Sequence, residues 1–236
     1  MILSYGAGER LSGCAQAREI LAVMRFEQPK GRSVAMTYDH CLAIIRASAA
    51  MGCPSIGFVE ALKFETGLRR IDVIGEWMPG DAGQPFHWRG LTAGNISKDL
   101  ILTIETSKTH VGVVRDLTVL PLVVEAMKAY ALPKLGPVVI NEETGKPYYD
   151  NRYTKRFARV RETAGVPQYV WSMDSRAGAV TETIAATGSI ERARDLATHT
   201  TAKMTERYAR SNGLEEARQV AEAREKLRQC NAVKRV

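Results

Sequence analysis

Five polar residues in this chain are of types that could do chemistry: Arg69, Lys108, Arg176, His199 and Tyr208. They stand in the contexts TGLRRIDV (66–73), SKT (107–109), MDSR (173–176), ATH (197–199) and RY (207–208). A phenol can act as a nucleophile, guanidinium forks pair with anionic oxygens, and ammonium or imidazole groups can move protons. His199 precedes Tyr208 by nine residues, and Arg207 and Arg210 flank the tyrosine. The chemistry open to such a set is covalent attack on something negatively charged. Taken singly, each residue also has an ordinary reading. An arginine near a helix start is a surface charge, and a lysine in a hairpin turn faces solvent. A lone histidine is a hydrogen-bonded structural residue, and a tyrosine on a basic helix is a packing residue.

The elements that must position these residues follow from local signals. Residues 15–26 have a helical apolar rhythm, and Pro29 and Gly31 then mark a linker. Thr37 can cap a helix over 38–51, and Pro54 suits the first turn of another over 54–65, with Ile56, Val59 and Leu62 on one face. Gly67 breaks the pattern, and Arg69 and Arg70 begin the next helical turn. Residues 79–94 read as a loop with one short strand. The segments 99–108 and 111–119 are rich in Leu, Ile, Val and Thr and read as a β-hairpin with Lys108 near its tip. Helices return from 120. Asp150 caps one that ends at Gly165, and residues 174–188 carry an acidic cap and a terminating glycine. Two short helices, SIERARDLATH and TAKMTERYARS, lead into a last one over 214–229. The expected fold class is mainly α with a small antiparallel β-sheet (α+β).

At 236 residues the chain can bury a proper core. A formal net charge of +7 and a pI of about 9.3 favour a polyanionic partner without identifying one. Cys14, Cys41, Cys53 and Cys230 are scattered, with no C-x-x-C pair and no histidine spaced for zinc, so neither metal nor cofactor is expected. The start, MILSYGAGERLSG, lacks the basic and apolar regions of a signal peptide, and no apolar run approaches the roughly 18 residues of a membrane span. The expected setting is cytoplasmic.

In their order and spacing, the five contexts resemble the catalytic domain of the tyrosine recombinases, also called phage integrases. That family's motif has an arginine in a T-G-x-R turn, a lysine on a β-hairpin and an H-x-x-R pair. A histidine or tryptophan follows, then a tyrosine at the spacing seen between His199 and Tyr208. The resemblance covers residues 33–212, and the text at 136–167 is similar to the family's approach to its second motif. It implies three parts: a residual N-terminal helix and linker (1–32), an integrase-like catalytic domain (33–212), and a C-terminal helix or tail (213–236) that docks on a neighbouring protomer or packs on its own domain. The helical core-binding domain that precedes the catalytic one in the family is mostly missing, which implies fewer phosphate contacts and weaker, more salt-sensitive DNA binding.

The resemblance also implies roles. Tyr208 would attack a DNA phosphodiester to form a 3′-phosphotyrosyl bond and release a 5′-hydroxyl. Arg69 and Arg176 would clamp the non-bridging oxygens, His199 would donate a hydrogen bond to one, and Lys108 would protonate the leaving oxygen. Asp72 would be a supporting carboxylate or an ordinary helix-surface aspartate. One departure stands out: Met173 occupies the histidine position of H-x-x-R and can neither accept a proton nor donate a hydrogen bond. A phenol titrates near 10, so the attacking tyrosine must give its proton to His199 or to water, or the chemistry is slow or lost. The implied partners are a double-stranded DNA attachment site, a homo-tetramer on DNA (monomer or weak oligomer when free) and a DNA-bending accessory protein, with no membrane. The implied origin is bacterial or phage, the protein being nucleoid-associated. Two other readings stay open: a catalytically impaired DNA-binding protein on the same fold, and a type IB topoisomerase-like enzyme that relaxes strands.

Overall fold

The computed structural model describes residues 2–24, 31–80, 86–206 and 208–209. Contacts divide the chain into two units, Met1–Ser33 and Val34–Val236. In the first, α1 (Ile2–Gly8) and α2 (Cys14–Val23) pack on each other, and the apolar residues Ile20, Leu21, Val23 and Met24 are exposed.

The second unit begins with α3 (Tyr38–Ala50). Thr37 is its cap, accepting from the His40 backbone N–H at 3.2 Å, and His40 Nδ1 returns a bond to the Thr37 backbone N–H. α4 (Pro54–Thr66) starts on Pro54, whose missing N–H is no loss in the first turn. The sequence places one apolar face on this helix, yet nearly every residue from Ser55 to Thr66 is buried. α4 is the central helix, covered by α3, by α6 (Pro121–Met127), by α7 (Asp150–Thr163) and by α8 (Asp174–Thr187). The core joins Ile44 and Ile45 of α3, Phe58 and Leu62 of α4, Leu122 and Val123 of α6, and the i, i+4, i+7 stripe Tyr153, Phe157 and Val160 of α7.

After the short α5 (Arg70–Ile74) come two separate two-stranded antiparallel sheets. β1 (Glu76–Met78) pairs with β2 (His87–Arg89), Trp77 facing Trp88. The sequence shows only a loop with one strand in this region. The sheet depends on Gly75 and Gly90 lying against each other: a Cβ on Gly90 would stand 2.5 Å from the Gly75 Cα and 2.4 Å from the Trp88 ring. β3 (Ile101–Glu105) and β4 (Gly112–Asp116) form the expected hairpin, in the register Thr103↔Val114.

Three local expectations shift. Asp150 is the first residue of α7 and not its cap, which is Tyr149; its carboxylate is pulled instead to Arg70 Nη2 at 2.5 Å. Asp174 likewise opens α8 with Met173 at the cap position, and its Oδ2 reaches back to the Trp171 N–H at 2.8 Å. After α9 (Ile190–Leu196), α10 (Ala202–Glu206) stops before the tyrosine. Tyr208 lies in a turn whose N–H donates to the Thr205 carbonyl at 2.8 Å. The helix expected over 214–229 lies outside the described residues.

Candidate active site

The site is assembled from the end of α4, the start of α5 and α8, and the loop from α9 to Tyr208. α4 ends at Gly67 in the left-handed conformation (φ 67°), which turns the chain and aims the Gly67 carbonyl at Arg176. Arg176 sits in the first turn of α8 and is only 6% exposed. Its Nη1 donates to Gly67 O at 2.6 Å, its Nη2 to Ala197 O, and its Nε to His199 Nε2 at 3.3 Å. A guanidinium has five N–H groups, so each terminal nitrogen keeps one free for a ligand. Burial first, then the neighbouring Arg69 charge, lowers the Arg176 pKa to about 10.

Arg69 caps α5 and donates its backbone N–H to Asp72 Oδ2 at 3.1 Å. Its charge is felt by both Arg176 and His199, and its Nη1 is buried with no hydrogen-bond partner among the described residues. Two guanidiniums held together in this way, one with an orphaned N–H, form a site suited to an anionic oxygen.

The tautomer of His199 follows from its partners. Arginine Nε can only donate, so His199 Nε2 must be the bare nitrogen, and Nδ1 carries the proton toward Thr205 Oγ1 at 3.1 Å. Burial, then Arg176 and Arg69, depress the His199 pKa to about 4. The ring is neutral at ordinary pH. Tyr208 is half-buried and leans on this ring, with centroids 4.9 Å apart and planes at 31°, while Arg176 Cζ lies 5.9 Å from the Tyr208 centroid.

Asp72 is buried, and its place is not on a helix surface. Oδ1 accepts from both the backbone N–H (2.8 Å) and the hydroxyl (2.6 Å) of Ser107, so one carboxylate ties α5 to the β3–β4 hairpin tip. Lys108 is the next residue. It is exposed and makes no hydrogen bond or ion pair among the described residues. Arg69, Arg176, His199 and Tyr208 are thus gathered into one cluster, Asp72 adjoins it, and Lys108 stands on a tethered arm outside it. Met173 is 58% exposed, on the solvent side of the turn into α8. Among the described residues no group of three or more His, Cys, Asp or Glu could hold a metal ion, and no helix is long and apolar enough to cross a membrane.

The architecture around this cluster recurs in solved structures. A lambda integrase (residues 75–356) dimer bound to a COC′ core site superposes over 89% of this chain and 77% of that one, with a TM-score of 0.59 at 17% identity. XerA recombinase superposes over 93% and 79%, with a TM-score of 0.60 at 13% identity. A lambda integrase tetramer bound to a Holliday junction superposes over 87% and 62%, with a TM-score of 0.58 at 16% identity. The chain has the tyrosine recombinase catalytic-domain fold. No protein-family model matches the chain, and no curated protein does. On the recombinase fold, the residues that the sequence missed are the fixings of the cluster. The carbonyls of Gly67 and Ala197 leave no trace in side-chain type, whereas Ser107 and Thr205 are visible only as neighbours of Lys108 and Tyr208. Glu60 and Lys63, buried at the centre of α4, had a readable signal: two charges inside an otherwise apolar run.

Proposed function

We propose that this chain is a site-specific DNA recombinase that cleaves and rejoins strands through a 3′-phosphotyrosyl intermediate. The observation that carries this reading is Arg176 lying 5.9 Å from the Tyr208 ring centroid within the field of Arg69, whose Nη1 is buried without a partner among the described residues. In the proposed step the Tyr208 oxygen forms a bond to phosphorus as the bond to the 5′-oxygen breaks. The phenolic proton leaves to an acceptor, and Lys108 supplies a proton to the departing oxygen when the hairpin closes on DNA. Arg69 and the free N–H groups of Arg176 hold the non-bridging oxygens and stabilise the added charge of the transition state. The phosphodiester energy is stored in the covalent bond, so rejoining needs neither ATP nor metal. Asp72 acts through Ser107 by holding the Lys108 hairpin. His199 in its resting state spends Nε2 on Arg176, so its place is to orient that guanidinium until a phosphate takes over.

The partners that fit are a duplex attachment site and further copies of the chain assembled on it, as the DNA-bound dimer and junction-bound tetramer of lambda integrase do. A DNA-bending accessory protein and a cytoplasmic, nucleoid-associated setting belong to the same reading. Its main rival is a catalytically impaired DNA-binding protein on this fold, favoured by the exposed Met173 and the engaged Nε2 of His199.

The test uses a pool of nicked duplexes of randomised sequence, from which DNA surviving on the protein after denaturation is recovered. Covalent DNA with the parent protein, lost in Tyr208→Phe, supports the recombinase. Duplex binding without any covalent product sinks the enzyme reading in favour of the rival, and relaxation of supercoils without site preference points to the topoisomerase-like reading.

A further inference from the structure

Glu60 and Lys63, three residues apart on α4, are both fully enclosed in the protein. All three N–H groups of Lys63 are used. They go to Glu60 (3.0 Å to each oxygen), to the Ser172 carbonyl at 2.5 Å and to Ser172 Oγ at 2.6 Å. The Glu60 carboxylate also accepts from Ser172 Oγ at 2.5 Å, from Ser175 Oγ and, on α7, from Tyr153 OH at 2.6 Å. Four of these contacts thus fall on Ser172 and Ser175, which bracket Met173 and Asp174, and Ser175 immediately precedes Arg176. A buried ion pair is a poor source of stability, because desolvation offsets most of its attraction; burial indeed lowers the Lys63 pKa. What such a pair does supply is direction, since a point charge with every lone pair and proton spoken for admits one arrangement of its partners.

We infer that the Glu60–Lys63 pair is a positioning device for Arg176: it clamps the 172–175 turn from inside and so sets where the guanidinium stands relative to Arg69 and Tyr208. The pair itself touches none of the reacting groups. The inference rests on the recombinase reading for its consequence in catalysis, but not for its consequence for Arg176. Tyr153 provides a graded contrast, because its hydroxyl binds the same carboxylate from α7 and adjoins Ser172, but not Ser175, the residue next to Arg176.

Three variants separate positioning from bulk stability: Ser175→Ala, Glu60→Gln and Tyr153→Phe. The readouts are thermal stability, affinity for nicked duplex, the single-turnover rate of covalent adduct formation, and hydrogen exchange of the Arg176 Nε–H by NMR. Ser175→Ala and Glu60→Gln are expected to slow adduct formation by ~10-fold or more, as small misplacements of a charge clamp do. Affinity should stay within about twofold, and Arg176 Nε–H should exchange faster. Tyr153→Phe is expected to lower stability and to change the rate and the exchange by less than about twofold, because it leaves the bond from Glu60 to Ser175 in place. Unchanged Arg176 exchange in Ser175→Ala and Glu60→Gln overturns the inference, and so does a rate loss in Tyr153→Phe as large as theirs. If the parent forms no adduct, the recombinase reading fails, and Arg176 exchange alone then decides the positioning role.

Discussion

His199 should make the protein acid-sensitive in a way that one substitution removes. Its Nε2 accepts from Arg176 Nε, and its Nδ1 proton goes to Thr205. A second proton could only enter on Nε2, against an N–H of a cation. The folded pKa is accordingly about 4, against 6.5 for the free side chain. Above 6.5 the ring is neutral in both folded and unfolded chains, so its contribution to stability is fully present. As the pH falls from 6.5 to about 4, only the unfolded chain takes up the proton, and that contribution drains away. The gap corresponds to about 3 kcal/mol, an upper bound because the arginines relax as the ring charges. Urea unfolding of the parent and of His199→Gln, whose amide oxygen can still accept from Arg176, would be compared from about pH 7 to about pH 4. Every other ionisable group is common to both proteins and cancels in the comparison. The stability advantage of the parent should shrink by up to about 3 kcal/mol, nearly all of it below pH 6.5. A difference that stays constant across this range would refute the assigned tautomer and the buried acceptor role together.

Thr198, immediately before His199, is left-handed (φ 52°) with its hydroxyl buried and without a partner among the described residues; Thr198→Gly should raise stability by ~1 kcal/mol in the same urea assay. Asp72→Ala leaves the N–H groups of Arg69 and Ser107 without their acceptor, so it should cost about 1–3 kcal/mol of stability. Under the recombinase reading it should also slow single-turnover cleavage far more than it weakens duplex binding, which a filter-binding titration checks. Met173→His should speed adduct formation by tenfold or so if proton removal limits the step; an unchanged rate rejects that limitation.

Much of the architecture is legible because its signals are local. The Thr37 cap, Pro54 in a first turn, Gly188 after α8 and the Thr- and Val-rich hairpin each act within a few residues. What the sequence hides is decided at long range. Asp150 has the chemistry of a cap, yet a distant arginine outcompetes the helix N-terminus for it. The β1–β2 sheet is invisible as a pattern because two three-residue strands show no periodicity; the contact of Gly75 with Gly90 makes it. α4 looks amphipathic only if Glu60 and Lys63 are assumed to face water, and here they face each other. The types and order of the site residues are readable, whereas the restraint of Arg176 by two backbone carbonyls is not, because every residue carries a carbonyl.

The geometry sets two demands of phosphate chemistry against each other. Arg69 and Arg176 make the cluster a good host for negative charge, and the same field, added to burial, makes His199 a poor base. With its pKa lowered to about 4, the His199 imidazole is a weak acceptor for a phenolic proton. A bound phosphodiester brings one negative charge and relieves the arginines' part of that penalty. Burial is the larger part, however, and under the recombinase reading a DNA strand over the site would deepen it. Strengthening the clamp therefore weakens any base placed inside it. The position held by Met173 is different: it is on the same turn but 58% exposed, where an imidazole would keep close to its ordinary affinity for protons. Under the recombinase reading, methionine there leaves the anion site intact and removes the acceptor that the field does not disable, and the Tyr208 proton would pass to water at the open side of the turn.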